Sequence, residues 1–273
     1  MTPSPTLALS YASSYGHTFE DFLRAARDEG FKAVQFIPDQ APNLYSELTL
    51  ERRHAIRQLA TEARIALHLH NVFYDVNIVS MVPAVRRLAL DITREVFALG
   101  KEWGALTVTV HPGYMFGGWR RDQVQRELFW KMAAESLGEL GAISEAAGLE
   151  LLLENGSYYV TTATGLPAAS PLHLGIVPEE LLRVVGLAGS KAKVTLDINK
   201  AIRSGRPFQD FLQALGGRVG QFQVSTAERC LAELMQIVQW ALKTKTSPTF
   251  VLEGSRTEAA AARELICELF LGS

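Results

Sequence analysis

Six residues whose side chains can hold a cation or move a proton stand at the ends of short apolar runs. His70 closes IALHLH, His111 follows ALTVTV, Glu154 closes LELLLE, Asp197 closes AKVTLD, Gln223 lies near the end of VGQFQV, and Glu253 closes TFVLE. Imidazole nitrogens, carboxylate oxygens and an amide carbonyl are the donors that bind divalent ions. A carboxylate that ends an apolar strand is costly unless it is paired or bound to a cation. Three of them converging without one would repel and force at least one to keep a proton. A divalent metal resolves that conflict. Two imidazoles with carboxylates suit zinc, manganese or iron, and the oxygen-rich part also accepts magnesium; cobalt shares these donors.

Plainer readings compete at several positions. His68 lies on the same strand face as His70 and reads as a hydrogen-bonded core residue. HPG at 111–113 also fits a strand-ending turn. LLLEN at 151–155, by contrast, puts an acid after three leucines with no local partner. His17, His54 and His173 lie in loop or helix contexts and read as structural or solvent-facing.

The elements that would bring the six together follow from the chain's rhythm. Candidate strands at 6–11, 32–37, 65–70, 105–110, 149–154, 192–197, 219–224 and 249–253 alternate with amphipathic stretches such as 19–30, 51–63, 84–102 and 121–147. Thr18 and Thr49 are placed as N-caps, and Gly104 and Gly148 lie just past helix ends. Eight such units in 273 residues fit an α/β fold of the (β/α)8 TIM-barrel type in a single domain spanning 1–273. An open doubly wound sheet fits less well, since the first strand ends in YASSYGH without a GxGxxG loop. In a barrel, chemistry belongs at the C-terminal ends of the strands, where all six residues fall. The irregular stretch 155–178 lies on that face.

The chain is 48% hydrophobic and 21% charged, which excludes disorder. Its net charge of -2 gives no global attraction to nucleic acid. Arg120, Arg121, Arg203 and Arg206 are the residues able to form a local basic patch. Cys230 and Cys267 show no CxxC spacing and read as reduced packing residues of a cytoplasmic protein. No signal peptide or membrane-spanning run is evident, so a soluble, unprocessed protein is expected.

The stretch HNVFYDVNIVS (70–80) is similar to a pattern in the xylose-isomerase-like barrels, the superfamily of endonuclease IV and of many sugar and sugar-phosphate isomerases and epimerases. The resemblance continues through LDITREVFALGKEWGA, TVTVHPG, LLLEN, VTLDINKA and FVLEG, in order and over most of the chain. It implies a TIM barrel with divalent-metal ligands at His70, His111, Glu154, Asp197 and Glu253, with Glu154 able to bridge two metals. Asp75 and Asn77 match a part of the pattern that fixes a loop. Departures are specific: Asp197-Ile198-Asn199-Lys200 stands where many members have Asp-x-x-His, and Gln223 and Thr226 stand where a histidine and an aspartate are usual. The Asp-x-His of a third zinc site has no counterpart in TAERCLAELMQ.

Gln223 ligates weakly, through a carbonyl oxygen without charge. Lys200 either sits as an ammonium where a metal would be, paired with Asp197 or a substrate anion, or carries protons if burial lowers its pKa; the competing reading is a solvated lysine starting a helix. The first functional expectation is a metal-dependent isomerase or epimerase of a small sugar, sugar phosphate or hydroxy-carbonyl compound. Its proton transfer through an enediolate would use Glu154 and Glu253, with Lys200 in support. The alternatives are an endonuclease IV-like phosphodiester hydrolase and a degenerate ligand-binding barrel. The aromatic residues Phe73, Tyr74, Tyr114, Phe116, Trp119, Tyr158 and Tyr159 either line a pocket for a small-molecule substrate or pack the loops or a dimer contact. The sequence leaves oligomeric state open.

Overall fold

The computed structural model describes residues 3–14, 17–116, 122–156, 171–225 and 227–272. Ten strands are seen among them: β1 (Thr6–Ser10), β2 (Ala33–Phe36), β3 (Ala66–His70), β4 (Thr107–Val110), β5 (Tyr114–Phe116), β6 (Glu150–Glu154), β7 (Pro171–His173), β8 (Lys193–Asp197), β9 (Val219–Val224) and β10 (Thr249–Leu252). Eight of these close into a parallel barrel in the order β1, β10, β9, β8, β6, β4, β3, β2. The remaining two, β5 and β7, pair antiparallel above the rim, with Tyr114 opposite His173. That small ribbon was not expected from the sequence, which read both segments as loop.

Helices follow the strands because their capping chemistry and apolar spacing agree. The helix Phe19–Asp28 begins where the Thr18 side chain accepts from the Asp21 amide, and Leu50–Ala63 begins likewise at Thr49 and Arg52. The long helices Pro83–Trp103 and Gln123–Ala147 stop at Gly104 and Gly148, whose φ of 71° and 72° is the left-handed conformation that glycine adopts without strain. Their buried faces, including Leu90, Val96, Phe97, Leu137 and Leu140, pack on the outside of the sheet.

Side chains alternate across the strands, so one face of each strand fills the barrel. At its lower level Ala8, Ala33 and Val251 pack together. Above them the filling is polar. Thr109 Oγ1 lies 2.9 Å from Thr195 Oγ1, and the Gln35 and Gln221 amides donate to Thr109 at 3.4 and 2.9 Å. His68 belongs to the same level and meets Thr107 Oγ1 at 2.9 Å, while burial pushes its imidazole down to about 4. It is a buried, neutral, hydrogen-bonded histidine, as the sequence suggested.

Candidate metal and proton-transfer site

The register of the barrel sets the site. His70 pairs with Thr109, two residues before His111, and Val110 pairs with Leu153, next to Glu154. Glu154 pairs with Thr195, Asp197 with Gln223, and Gln223 with Val251, two residues before Glu253. Two-residue steps keep a side chain on the same face, so all six rise from the inward face onto one rim.

Three of them meet. His70 Nε2 lies 2.9 Å and His111 Nε2 3.0 Å from the same Glu154 oxygen, Oε2. Among the described residues these are the one group whose ligand atoms all lie within 4.8 Å of one another, and the group can hold a metal ion. The donor chemistry fits one. His70 Nδ1 lies 2.7 Å from the Asn71 carbonyl, an interaction that places a proton on Nδ1 and leaves the Nε2 lone pair of the neutral ring aimed at a carboxylate oxygen. Two acceptors facing each other are stabilised by a cation or a proton between them, and a backbone carbonyl orienting the far nitrogen is how ligand histidines are held. Phe73 braces both rings, with centroids 5.3 Å from His70 and 5.2 Å from His111.

Asp197, Gln223 and Glu253 stand on the same rim but outside that close group. Lys200 accounts for the difference. Its ammonium bonds Glu154 Oε1 and lies 3.5 Å from Asp197 Oδ2. Asp197 Oδ1 caps the short helix Ile198–Arg203 by accepting from the Lys200 amide at 2.9 Å. The Gln223 amide donates to Glu253 Oε1 and the Ser225 hydroxyl to Oε2, both at 3.2 Å. Gln223 Oε1 is buried without a partner among the described residues.

The protonation pattern follows from these contacts. Burial disfavours ionised Glu154, yet the Lys200 ammonium and the two imidazoles outweigh it and hold the carboxyl well below its usual range. Burial likewise disfavours charged Lys200, but Glu154 and Asp197 raise it above its ordinary value. Burial therefore does not make Lys200 a base, and it is a fixed cation. Burial and the neighbouring Asp197 and Glu154 carboxylates push Glu253 up to about 7. Burial raises Asp197 too. Burial and Lys200 take His111 down to about 4 despite Glu154, whereas Glu154 and the Asn71 carbonyl raise His70 against its burial.

The surrounding loops are partly those expected. Asn77 fixes the loop above His70: its Oδ1 accepts from the Tyr114 and Val79 amides at 3.2 and 3.3 Å, and its Nδ2 donates to Tyr114 O at 3.1 Å. Asp75 is exposed in a left-handed turn at φ 57°. Gly113, with φ 93°, leaves room for Asn77, because a Cβ there would lie 2.5 Å from Asn77 Oδ1. His173 borders the site, its ring 6.3 Å from that of His111. The His17 carbonyl accepts from the Tyr11 hydroxyl; His54 is exposed on the helix Leu50–Ala63. Arg206 is paired with Glu179 at 2.7 Å and Asp210 at 3.7 Å. Arg120, Arg121, Trp119, Tyr158, Tyr159 and Thr226, and the side chain of Phe116, lie outside the described residues.

Sequence reasoning missed Ser225, which holds Glu253, and Asn155, whose amide side chain clamps the Asp197 backbone at 2.7 and 3.1 Å. It also missed Asp39, just past β2. Asp39 follows the apolar run KAVQFI by one proline, so it lacks the direct strand-end placement of the other six.

A family model described as xylose isomerase-like TIM barrel matches residues 23–234. An uncharacterized protein of Methanocaldococcus jannaschii is 30% identical over 166 residues, which span 59% of this chain and 51% of that protein, so the match covers about half the relative's length. Among solved structures, a D-tagatose 3-epimerase-like protein superposes with TM-score 0.80 at 19% identity, covering 97% of each chain. A D-psicose 3-epimerase crystallised with D-fructose gives 0.77 at 14%, covering 98% of this chain and 100% of that one. An L-ribulose 3-epimerase gives 0.77 at 16%, covering 100% and 95%.

Proposed function

This chain belongs to the xylose isomerase-like TIM barrel family, and on that premise we propose that it is a divalent-metal-dependent isomerase or epimerase of a small sugar or related hydroxy-carbonyl compound. The observation that carries the reading is the convergence of His70, His111 and Glu154 on one point of the rim, with Glu253 held beside it, among the described residues, by the neutral Gln223 amide and Ser225 hydroxyl. The superposing epimerases support the same class. His70, His111 and Glu154 would hold the ion, with zinc or manganese best suited to two imidazoles and a carboxylate. Bound there, it supplies polarisation of adjacent carbonyl and hydroxyl oxygens, which lowers the cost of an enediolate.

The protein's own groups divide the remaining work. Glu154 uses both oxygens on His70, His111 and Lys200, so its task is to hold cations. Among the described residues Glu253 accepts from neutral donors, the Gln223 amide and the Ser225 hydroxyl, so its carboxylate is the group available to take a proton from the carbon beside the carbonyl and return it. Lys200, fixed by Glu154 and Asp197, contributes positive charge where the substrate oxygens become negative.

Metal-loaded protein should introduce deuterium from heavy water into at least one member of a ketose panel, and Glu253→Gln should slow that exchange roughly 100- to 10,000-fold. No exchange by folded, metal-loaded protein in any ketose or ketose phosphate would overturn the reading. The phosphodiesterase alternative lacks support at the site: its third-site residues are absent from the sequence, and Arg206 is committed to carboxylates.

A further inference from the structure

One further carboxylate, Asp39, stands past the end of β2 with no part in the metal and proton-transfer roles described above. Asp39 lies three residues past the end of β2, on the strand next to that of His70, where Gln35 pairs with His68 and Phe36 with Leu69. Its backbone is fixed independently of its side chain. The Tyr45 amide donates to Pro38 O at 3.0 Å, the Asn43 amide donates to Gln40 O at 2.9 Å, and Ile37 and Pro38 are buried. Asp39 is half-buried, but both its carboxylate oxygens are shielded from solvent and, among the described residues, neither has a well-formed hydrogen bond; no other described carboxylate has both oxygens so placed. Burial raises this carboxyl above its usual value, against the His70 imidazole and its own backbone amide, and β2 lies beside β3, which ends on His70. A desolvated acceptor pair without donors is destabilising for the free protein, and such groups persist where a ligand supplies what is missing.

We propose that Asp39 is a substrate-binding residue whose two oxygens accept hydrogen bonds from adjacent hydroxyl groups of an unphosphorylated polyhydroxy substrate, at the side of the rim opposite Lys200. The inference rests on the isomerase reading and deepens it. Two oxygens of one carboxylate match the spacing of a vicinal diol, and hydroxyls are the neutral donors that a sugar offers. Among the described residues Lys200 is already engaged by Glu154 and Asp197, and a neutral diol, unlike a phosphate, is not repelled by the Asp39 carboxylate.

The test compares wild type with Asp39→Asn and Asp39→Ala, each reconstituted with manganese, for binding of D-fructose, D-tagatose, D-xylulose and D-fructose 6-phosphate by calorimetry, alongside metal content and thermal unfolding. Wild type should bind a neutral ketose more tightly than the phosphate ester, and both variants should weaken that ketose about tenfold or more. They should keep their metal and melt at the same temperature or higher, because an unsatisfied buried charge has been removed; a packing role would lower the melting temperature instead. If wild type binds and exchanges a ketose that Asp39→Ala binds equally well, or prefers the phosphate ester, the Asp39 inference falls and the isomerase reading stands. If metal-loaded wild type neither binds nor exchanges any of the four, the isomerase reading fails and the inference with it.

Discussion

At the scale of single residues, Lys200 decides what the rim can hold. Family resemblance implied metal ligands at Glu154, Asp197 and Glu253, with Gln223 in place of a usual histidine, and an ammonium bonds Glu154 there and lies 3.5 Å from Asp197. A positive side chain in that position competes directly with a second divalent ion. Lys200→Gln should therefore lower the stability of the metal-free protein by about 3 kcal/mol, since it strands buried Glu154. It should also let the rim take up a second divalent ion per chain. Urea titration and elemental analysis read the two effects, and a variant with unchanged stability and metal content would contradict this placement. The residues of the site were legible because each is an acid, amide or imidazole ending an apolar strand. The direction of the Lys200 side chain was not: NKAIRSGRPF is polar, and only the cap that Asp197 forms on the Lys200 amide turns the lysine back over the rim. Asp39 was hidden by its setting, because an acid in IPDQAPN reads as a turn residue.

At the scale of elements, the strands and long helices followed from alternation and capping residues, while the β5 and β7 ribbon did not. Three-residue strands carry too little periodicity to register, and their pairing depends on a close approach at Gly113. Gly113→Ala should cost roughly 1–2 kcal/mol from its left-handed backbone alone, and more from the clash with Asn77. Because that loop carries the chain from His111 into the ribbon, lowered affinity for metal should accompany the lost stability, as differential scanning fluorimetry with and without manganese would show. A second element-level contact ties the helix Leu50–Ala63 to Phe19–Asp28. Arg52 reaches Glu20 with two bonds at 2.9 and 2.8 Å, and also meets Asn43 and Pro42. Burial raises the Glu20 carboxyl, but the Arg52 hydrogen bonds and charge bring the net value below 4.5. A carboxyl with a depressed folded pKa stabilises the fold above its unfolded value and loses that contribution as pH falls through the folded one. Wild type should accordingly lose stability below about pH 4.5 more steeply than Glu20→Gln, a difference that chemical denaturation at pH 6, 4.5 and 3 would reveal. Parallel curves would contradict it.

For the whole molecule, the barrel gathers residues spread from Asp39 to Glu253 onto one rim, which no local segment could do. Closure also explains why the barrel interior tolerates Gln35, Thr109, Thr195 and Gln221: they satisfy one another in part and form a polar floor beneath the site. Among the described residues no helix is long and apolar enough to cross a membrane. The net charge of -2 gives no long-range attraction for a DNA backbone. Purified protein should therefore leave an abasic-site duplex intact under conditions in which it exchanges deuterium into a ketose; cleavage that His111→Ala abolishes would favour the hydrolase instead.

A single metal centre at His70, His111 and Glu154 is checked by elemental analysis after manganese or zinc reconstitution and gel filtration. About one ion per wild-type chain is predicted, with His111→Ala and Glu154→Gln losing it while remaining folded by circular dichroism. A folded wild-type protein that retains no metal, or a His111→Ala variant that retains as much as wild type, would contradict the account.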